Sequence, residues 1–128
     1  MALNTPDVSS LSINPQSDFS RLFVPKNPDG TIFDCTSWNG ALVWSFKPTS
    51  AIAQKVAPFT LTCSEGSHDA TGVVITAVKA DMKTAYEAAL GLPCDYVITL
   101  ENGGGTDTMV LAQATMSWQY NQATQASL

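Results

Sequence analysis

The chain has 128 residues, and its 45% hydrophobic content is enough to build one domain with one ordinary core. Only 13% of the residues are charged, about half of the roughly 25% typical of soluble domains, so much of the surface is polar but uncharged. The net charge is −5 and the 6 Lys and Arg residues form no cluster, which argues against nucleic acid as a partner because phosphate neutralisation needs grouped cations.

The first 17 residues contain two prolines and scattered Ser and Asn, and their apolar positions are too sparse for a periodic element. We therefore predict an extended arm that becomes ordered on the surface of a partner. The segment lacks the basic start and continuous apolar stretch of a signal peptide, and the chain has no apolar run of about 18 residues that would predict a membrane span. The candidate contact residues of the arm are Leu3, Val8, Leu11 and Ile13.

Strands are predicted from residue 18 onwards, where the sequence alternates with period two. In DFSRLFV the side chains of Phe19, Arg21 and Phe23 share one face. The segment KNPDGT then supplies a Pro-Asp-Gly turn that leads into a short strand over residues 31–33. After the polar loop DCTSWNG, the run ALVWSFK predicts a strand whose Trp44 and Phe46 face the core.

The second half of the chain contains further strands and one helix. FTLTC and GVVITAV predict strands on either side of the polar loop SEGSHDATG. The period then changes in KADMKTAYEAALGLP, where Asp81 is a candidate N-cap and Gly91 with Pro93 ends the predicted helix. NGGGT predicts a hairpin turn, and CDYVITLE predicts a strand with an apolar and a polar face. The apolar face is formed by Cys94, Tyr96, Ile98 and Leu100, and the other by Asp95, Val97, Thr99 and Glu101. The last strand, TDTMVLAQATMSWQY, is predicted to bury the face formed by Val110, Ala112, Ala114, Met116 and Trp118.

The sum of these elements predicts an all-β domain. About seven short strands, one short helix and tight hairpins favour an antiparallel β-sandwich, whereas a parallel α/β fold would need several helices. Immunoglobulin-like and jelly-roll topologies both fit this pattern. The predicted organisation is an extended N-terminal arm over residues 1–17, a β-sandwich domain over residues 18–118 and a polar C-terminal tail over residues 119–128.

The residue types that catalysis and metal binding require are not grouped in this sequence. Ser67, His68 and Asp69 are adjacent, whereas the members of a catalytic triad converge from separate elements. Asp95 and Glu101 are about 20 Å apart along one strand, well beyond the spacing of glycosidase carboxyl pairs. We therefore predict no catalytic residue, no cofactor, no metal and no enzymatic activity. The widely separated cysteines are predicted to be reduced thiols: Cys35, Cys63 and Cys94.

Trp38 is the aromatic residue whose sequence context gives the weakest indication of a core position. Most of the others alternate with polar residues in strands, which predicts core positions. Trp38 instead lies in the loop segment SWNG without an apolar neighbour. We predict that it is exposed and contacts a partner, because tryptophan is frequent among the residues that dominate interfaces.

The order of the predicted elements also resembles a known family. The successive segments are DFSRLFVP, NPDGTIFD, ALVWSFK, GVVITAV, KTAYEAAL followed by GLP, and CDYVITLE followed by a Gly-rich turn. Over residues 17–118 this order resembles small immunoglobulin-like domains of tailed-phage virions, in particular the amino-terminal domain of baseplate upper proteins and its stand-alone relatives. That family has an Asp-Leu-Thr-Gly-like turn where this chain has FDCTSWNG, which keeps Asp34 and Thr36 but has Cys35 between them.

The resemblance implies a structural, non-enzymatic virion protein that binds neighbouring subunits and stabilises the particle. It leaves open a capsid decoration (cement) protein and a tail or baseplate accessory protein, with capsid or tail subunits as partners and a homo-oligomer in the assembly. We expect no nucleic-acid or membrane partner, and a virion location after assembly in the host cytoplasm. Removal of residues 1–17 is then expected to leave the fold intact and to weaken incorporation into particles.

The alternative function is a carbohydrate-binding or host-receptor-binding module of a phage tail. It would use Trp38 together with the loops 64–71 and 102–106. Tryptophan rings stack on sugar rings, so an exposed Trp38 fits this alternative as well as it fits a protein contact. The two functions differ in whether the isolated chain binds a glycan.

Overall fold

A computed structural model describes residues 4–49 and 57–119. This part of the chain contains eight strands and one helix in two sheets, which confirms the predicted all-β, sandwich-like fold. In chain order the elements are β1 (Leu11–Ile13), β2 (Phe19–Phe23), β3 (Leu42–Pro48), β4 (Phe59–Leu61), β5 (Ser64–Asp69), β6 (Gly72–Ala77), α1 (Lys79–Ala88), β7 (Cys94–Glu101) and β8 (Thr108–Trp118).

The larger sheet has the strand order β1-β8-β7-β3-β4, and the smaller sheet has the order β2-β6-β5. Every strand pair in these sheets is antiparallel except β1 with β8, which is parallel, so the antiparallel prediction is wrong for that pair. The segment over residues 64–69, predicted as a loop, is the edge strand β5, which pairs with β6. Its side chains are mostly polar, so its sequence lacks the alternation of apolar and polar residues that predicts a strand. The strand predicted over residues 31–33 is reduced to a single bridge between Lys26 and Ile32.

The two sheets pack face to face on an aromatic core centred on Trp44 of β3. The Trp44 side chain is completely buried. Its ring lies 5.1 Å from the ring of Phe19 and 6.1 Å from that of Phe23, both on β2 of the facing sheet. Within its own sheet it stacks on Phe46 at 5.3 Å and meets Tyr96 edge-on at 6.0 Å. The predicted inward face of β7 is confirmed, because all of its members are buried: Cys94, Tyr96, Ile98 and Leu100.

The helix α1 is capped by a residue from another element. The predicted cap Asp81 is wrong, since Val78 occupies the N-cap position and makes no side-chain cap hydrogen bond. The N–H of Lys79 instead donates to the carboxylate of Asp18, 2.7 Å away and 61 residues earlier in the chain. Asp81 lies in the first turn, where a negative charge interacts favourably with the helix dipole.

A β-bulge in β8 changes which of its residues face the core. Ile98 is opposite Ala112 but Thr99 is opposite Val110, so Leu111 is the extra residue. Leu111 is completely buried, whereas Val110 is only partly buried. The predicted core face of β8 therefore holds after the bulge but is wrong at Val110.

Residues 4–17, which we call the N-terminal strap, belong to the sandwich and do not form a free arm. The N–H of Asp7 donates to the carbonyl of Leu111 at 3.0 Å, and the N–H of Gln113 donates to the carbonyl of Asp7 at 2.9 Å. The Tyr96 hydroxyl donates to the carbonyl of Ser9 at 2.6 Å. The strap thus lies along β8 from the bulge to the β1 pairing, and the predicted boundary at residue 18 is wrong. Of the predicted C-terminal tail, only residue 119 lies within the described part of the chain.

The Asp7 carboxylate joins the strap to β2. Its Oδ1 accepts hydrogen bonds from the N–H and the hydroxyl of Ser9, at 2.9 and 2.6 Å, and its Oδ2 accepts one from the N–H of Val24 at 2.9 Å. Partial burial by itself raises the pKa of Asp7. The hydrogen bonds and the nearby Arg21 outweigh this effect and hold the pKa below its ordinary value of 3.8.

We expect Asp7→Asn to lower the free energy of unfolding by about 1–3 kcal/mol at neutral pH, because a carboxamide cannot accept all three hydrogen bonds. Since the folded-state pKa is below the unfolded one, the contribution of Asp7 is fully present above the ordinary pKa of 3.8 and is lost as the pH falls through the folded-state pKa. Urea denaturation at about pH 7 and about pH 2.5 measures the difference between wild type and variant. A difference that does not shrink at the lower pH would contradict this role, and Asp107→Asn, at an exposed position, is the control.

Candidate protein-binding surface

The residues predicted to contact a partner do not form one surface. Leu11 and Ile13 are only 4% and 1% exposed, because they anchor β1 in the core beside β8. Val8 is 67% exposed. Leu3 lies outside the described residues. The prediction that Leu11 and Ile13 contact a partner is therefore wrong. Their apolar neighbours in the sequence are too few to predict the short strand β1, to which both belong.

The prediction that Trp38 is exposed is also wrong, because only 7% of this residue is accessible to solvent. Its ring lies 5.9 Å from that of Phe33, and its backbone N–H donates to the carbonyl of Cys35 at 2.9 Å. The surrounding loop is held down by the N–H of Cys35, which donates to the carbonyl of Asp69 on β5 at 3.0 Å. The loop therefore folds over one end of the sandwich, and Trp38 is not available for stacking on a sugar ring.

The polar residues considered for catalysis do not converge. His68 lies beside Glu65, with 3.3 Å between Nδ1 and Oε2, although the two atoms are not in hydrogen-bonding geometry. Ser67 pairs with Val74 and His68 with Val73, so their side chains alternate across β5. Among the described residues no group of three or more His, Cys, Asp or Glu side chains is arranged to hold a metal ion. Within the same ranges no helix is both long and apolar enough to cross a bilayer.

The cysteines are free thiols in separate places. Cys35 and Cys94 are buried, and Cys63 is partly buried beside the start of α1. Burial raises the pKa of each thiol to about 11, so all three are protonated at neutral pH. A protonated, buried thiol is a poor nucleophile, and these side chains act as small core residues.

The side of the larger sheet that faces away from the core is formed by polar and small apolar side chains. Residues at opposing positions on neighbouring strands form rows across this surface. In the first row Lys47 is opposite Asp95, and Asp95 is opposite Thr115. The next row joins Thr60, Ser45, Val97 and Gln113, and a third joins Val43, Thr99 and Val110. We call these three rows the outer face, and their residues are Val43, Ser45, Lys47, Thr60, Asp95, Val97, Thr99, Val110, Gln113 and Thr115. Glu101, the next outward residue of β7, lies beyond them beside Gly105.

A shallow groove of about 560 Å³ crosses the outer face. Ser45 and Val97 lie within it, and Pro58, just before β4, contributes to its lining. Lys47 and Asp95 also line the groove, and their charges cancel. Within the described residues no ion pair shorter than 4.0 Å joins Lys47 to Asp95, although they occupy opposing positions on β3 and β7. Both charges are therefore available to groups of a partner.

Negative charge is found instead in the connections between strands. Three Asp-x-Thr turns occur in the β2–β3 and β5–β6 connections, and in each the carboxylate accepts hydrogen bonds from the N–H and the hydroxyl of the threonine two residues later. The threonine hydroxyl bonds are the main cause that lowers the pKa of each aspartate. These turns were not among the elements predicted from the sequence, although the local Asp-x-Thr pattern is typical of them. The pairs are Asp29 with Thr31, Asp34 with Thr36, and Asp69 with Thr71.

Comparison of the sequence with known protein families and with curated proteins finds no match. The described residues define a small all-β sandwich with a buried aromatic core and a broad face of small polar and apolar side chains. The alternation in ALVWSFK and CDYVITLE predicted which residues of β3 and β7 point outward. The pairing that brings Lys47 opposite Asp95 was not predictable from that alternation.

Proposed function

We propose that this chain is a structural, non-enzymatic protein of a bacteriophage particle, and that it binds neighbouring subunits through the outer face. The observation that carries the proposal is the charge balance of this face. Its three rows contain one Lys and one Asp in a chain whose net charge is −5, and Glu101, the next outward residue of β7, lies outside them. The centres of protein interfaces are depleted in charged residues, and the remaining outer-face residues are Val, Ser, Thr and Gln.

The assignment to a phage particle depends on the resemblance of residues 17–118 to small virion domains. A capsid decoration protein and a tail or baseplate accessory protein both fit this proposal. The mechanism is mechanical, because each contact buries surface between subunits and so stabilises the particle. An interface of about 1,600 Å², repeated by the symmetry of a shell or ring, is sufficient for this role.

The outer face replaces the N-terminal strap as the proposed contact region. The strap uses its backbone and its apolar residues within the domain, as Leu11, Ile13 and the hydrogen bonds of Asp7 illustrate. In contrast, Lys47, Asp95 and Gln113 are exposed on a rigid sheet. A rigid surface binds at a lower entropic cost than a segment that must become ordered on contact.

The aromatic side chains favour a protein contact over a host-glycan site. Sugar-binding sites present exposed aromatic rings, and Trp38, the predicted candidate, is buried. Each aromatic side chain in the described ranges is at least partly buried. Phe46 and Tyr96 contribute to the lining of the groove on the outer face, but their side chains are buried in the core and present no exposed ring there.

We expect Val97→Lys to reduce incorporation of the protein into particles at least about tenfold, because it places an unpaired ammonium group in the middle of the proposed contact. Val74→Lys is the matched control, since Val74 is also a partly buried strand valine but lies on the outer side of the smaller sheet. Mass spectrometry of gradient-purified particles measures the stoichiometry, and thermal unfolding shows whether each variant is folded. Absence of the wild-type chain from particles, or equal loss for both folded variants, would contradict the proposal.

A further inference from the structure

We infer that the neighbour bound by the outer face is a second copy of this chain, related by a two-fold axis that sets Lys47 of each copy against Asp95 of the other. The inference deepens the proposed function and rests on it for the choice of face. The inference starts from Lys47 on β3 and Asp95 on β7, which lie at opposing positions and carry opposite charges. Both are exposed, and they form no ion pair with each other.

A two-fold interface brings the same patch of two copies together, so the patch must complement itself. The outer face satisfies this requirement because its positive and negative residues lie side by side. Rotation about an axis between Lys47 and Asp95 exchanges their positions and creates two intermolecular ion pairs. A patch with charges of one sign would bring like charges together under the same operation.

An acidic region elsewhere on the surface disfavours contacts between copies through that region. At a net charge of −5, copies repel one another when they approach through acidic regions. Asp34 in the β2–β3 connection and Asp69 at the end of β5 form such a region, because they are close enough for Asp69 to raise the pKa of Asp34. The outer side of the smaller sheet also includes Asp69, through its pairing with Gly72. The three rows of the outer face carry no net charge, and Glu101, on the same side of β7, lies at the other end of that strand from Asp95.

The rows beside the charged pair supply surface that can be buried. Val43 is 43% exposed and belongs to the row that contains Thr99 and Val110. Apart from Gln113, the middle row consists of short side chains around Val97, which allows two sheets to approach to the usual separation of about 10 Å. Burial of such a face removes apolar area from water without leaving charges unpaired.

The test is a charge exchange in the full-length chain, measured by sedimentation equilibrium from about 10 μM to about 1 mM. The wild type is expected to form dimers. Lys47→Glu and Asp95→Lys are each expected to weaken the dimer at least about tenfold, because each puts like charges together twice in a two-fold contact. The double variant exchanges the charges and is expected to recover the wild-type affinity to within about threefold. Lys83→Glu on α1 changes the net charge as Lys47→Glu does and is expected to leave the dimer intact.

Two results would overturn the inference. One is a wild type that stays monomeric over the whole range, and the other is a double variant that is no better than the single ones. If the wild type is monomeric but Lys47→Glu still lowers incorporation into particles, the partner at the outer face is a different subunit and the second-copy inference fails alone. If the wild type dimerises but is absent from particles, the dimer is established and the virion proposal fails alone.

Discussion

Deletion of residues 1–17 is expected to abolish cooperative unfolding, which is the opposite of the outcome expected for a free arm. The strap supplies β1, the buried side chains of Leu11, Ile13 and Pro15, and the hydrogen bonds that cover β8 at its bulge. Burial of each large aliphatic side chain contributes about 1.5–3 kcal/mol. The deletion thus removes an amount comparable with the total stability of a domain of this size, about 5–15 kcal/mol.

Circular dichroism and urea denaturation test this expectation, and single substitutions keep it testable if the truncated chain cannot be purified. Ile13→Ala is expected to destabilise the fold by about 2–5 kcal/mol, because Ile13 is 1% exposed. Val8→Ala is the matched control from the same strap and is expected to change the stability by less than about 0.5 kcal/mol, because Val8 is exposed. A truncated chain with the wild-type unfolding midpoint would show that the strap is dispensable.

Trp44→Ala is expected to destabilise the protein by about 3–5 kcal/mol, because its ring is the contact between the two sheets. Trp44→Phe is expected to cost much less. The indole Nε1 is buried without a hydrogen-bond partner, so its removal relieves a desolvation penalty while most of the aromatic contact is kept. Chemical denaturation measures both variants, with Val43→Ala on the exposed side of the same strand as the control. Equal losses for Trp44→Ala and Trp44→Phe would contradict this interpretation of the indole N–H.

The strap and Trp44 stabilise different parts of the sandwich. Trp44 joins β2 of the smaller sheet to β3 of the larger one, and the strap closes the side of the larger sheet where β8 would otherwise be an edge strand. An uncovered edge strand exposes unpaired N–H and carbonyl groups and promotes aggregation. We therefore expect strap variants to aggregate on unfolding more readily than core variants of equal stability.

Several elements were predictable because each depends on neighbouring residues of the chain. The strand β3 was predicted from the alternation around Trp44 and Phe46, and the helix was predicted from the spacing of Met82 and Ala85, which are both buried. A strand or helix that packs one side against a core must repeat its apolar residues with the period of its backbone. The outward positions of Ser45 and Val97 follow from the same alternation.

The remaining features depend on residues that are distant in sequence. Asp18 replaces Asp81 as the cap of α1 because folding brings the start of β2 to the start of the helix. The bulge at Leu111 directs a carbonyl to the N–H of Asp7, which local pattern does not predict. Trp38 has no apolar neighbour in sequence but finds Phe33 after the loop folds over the end of the sandwich.

By itself the sequence determined the all-β class, the inward faces of β3 and β7, the position of the helix and the low surface charge. The tertiary structure decided the parallel pairing of β1, the burial of Leu11 and Ile13, and the outer face on which Lys47 lies opposite Asp95. The physical reason is the range of the interactions. Periodic burial is a property of consecutive residues, whereas strand order, caps and a binding surface arise only when distant segments provide each other with hydrogen-bond partners and apolar contacts.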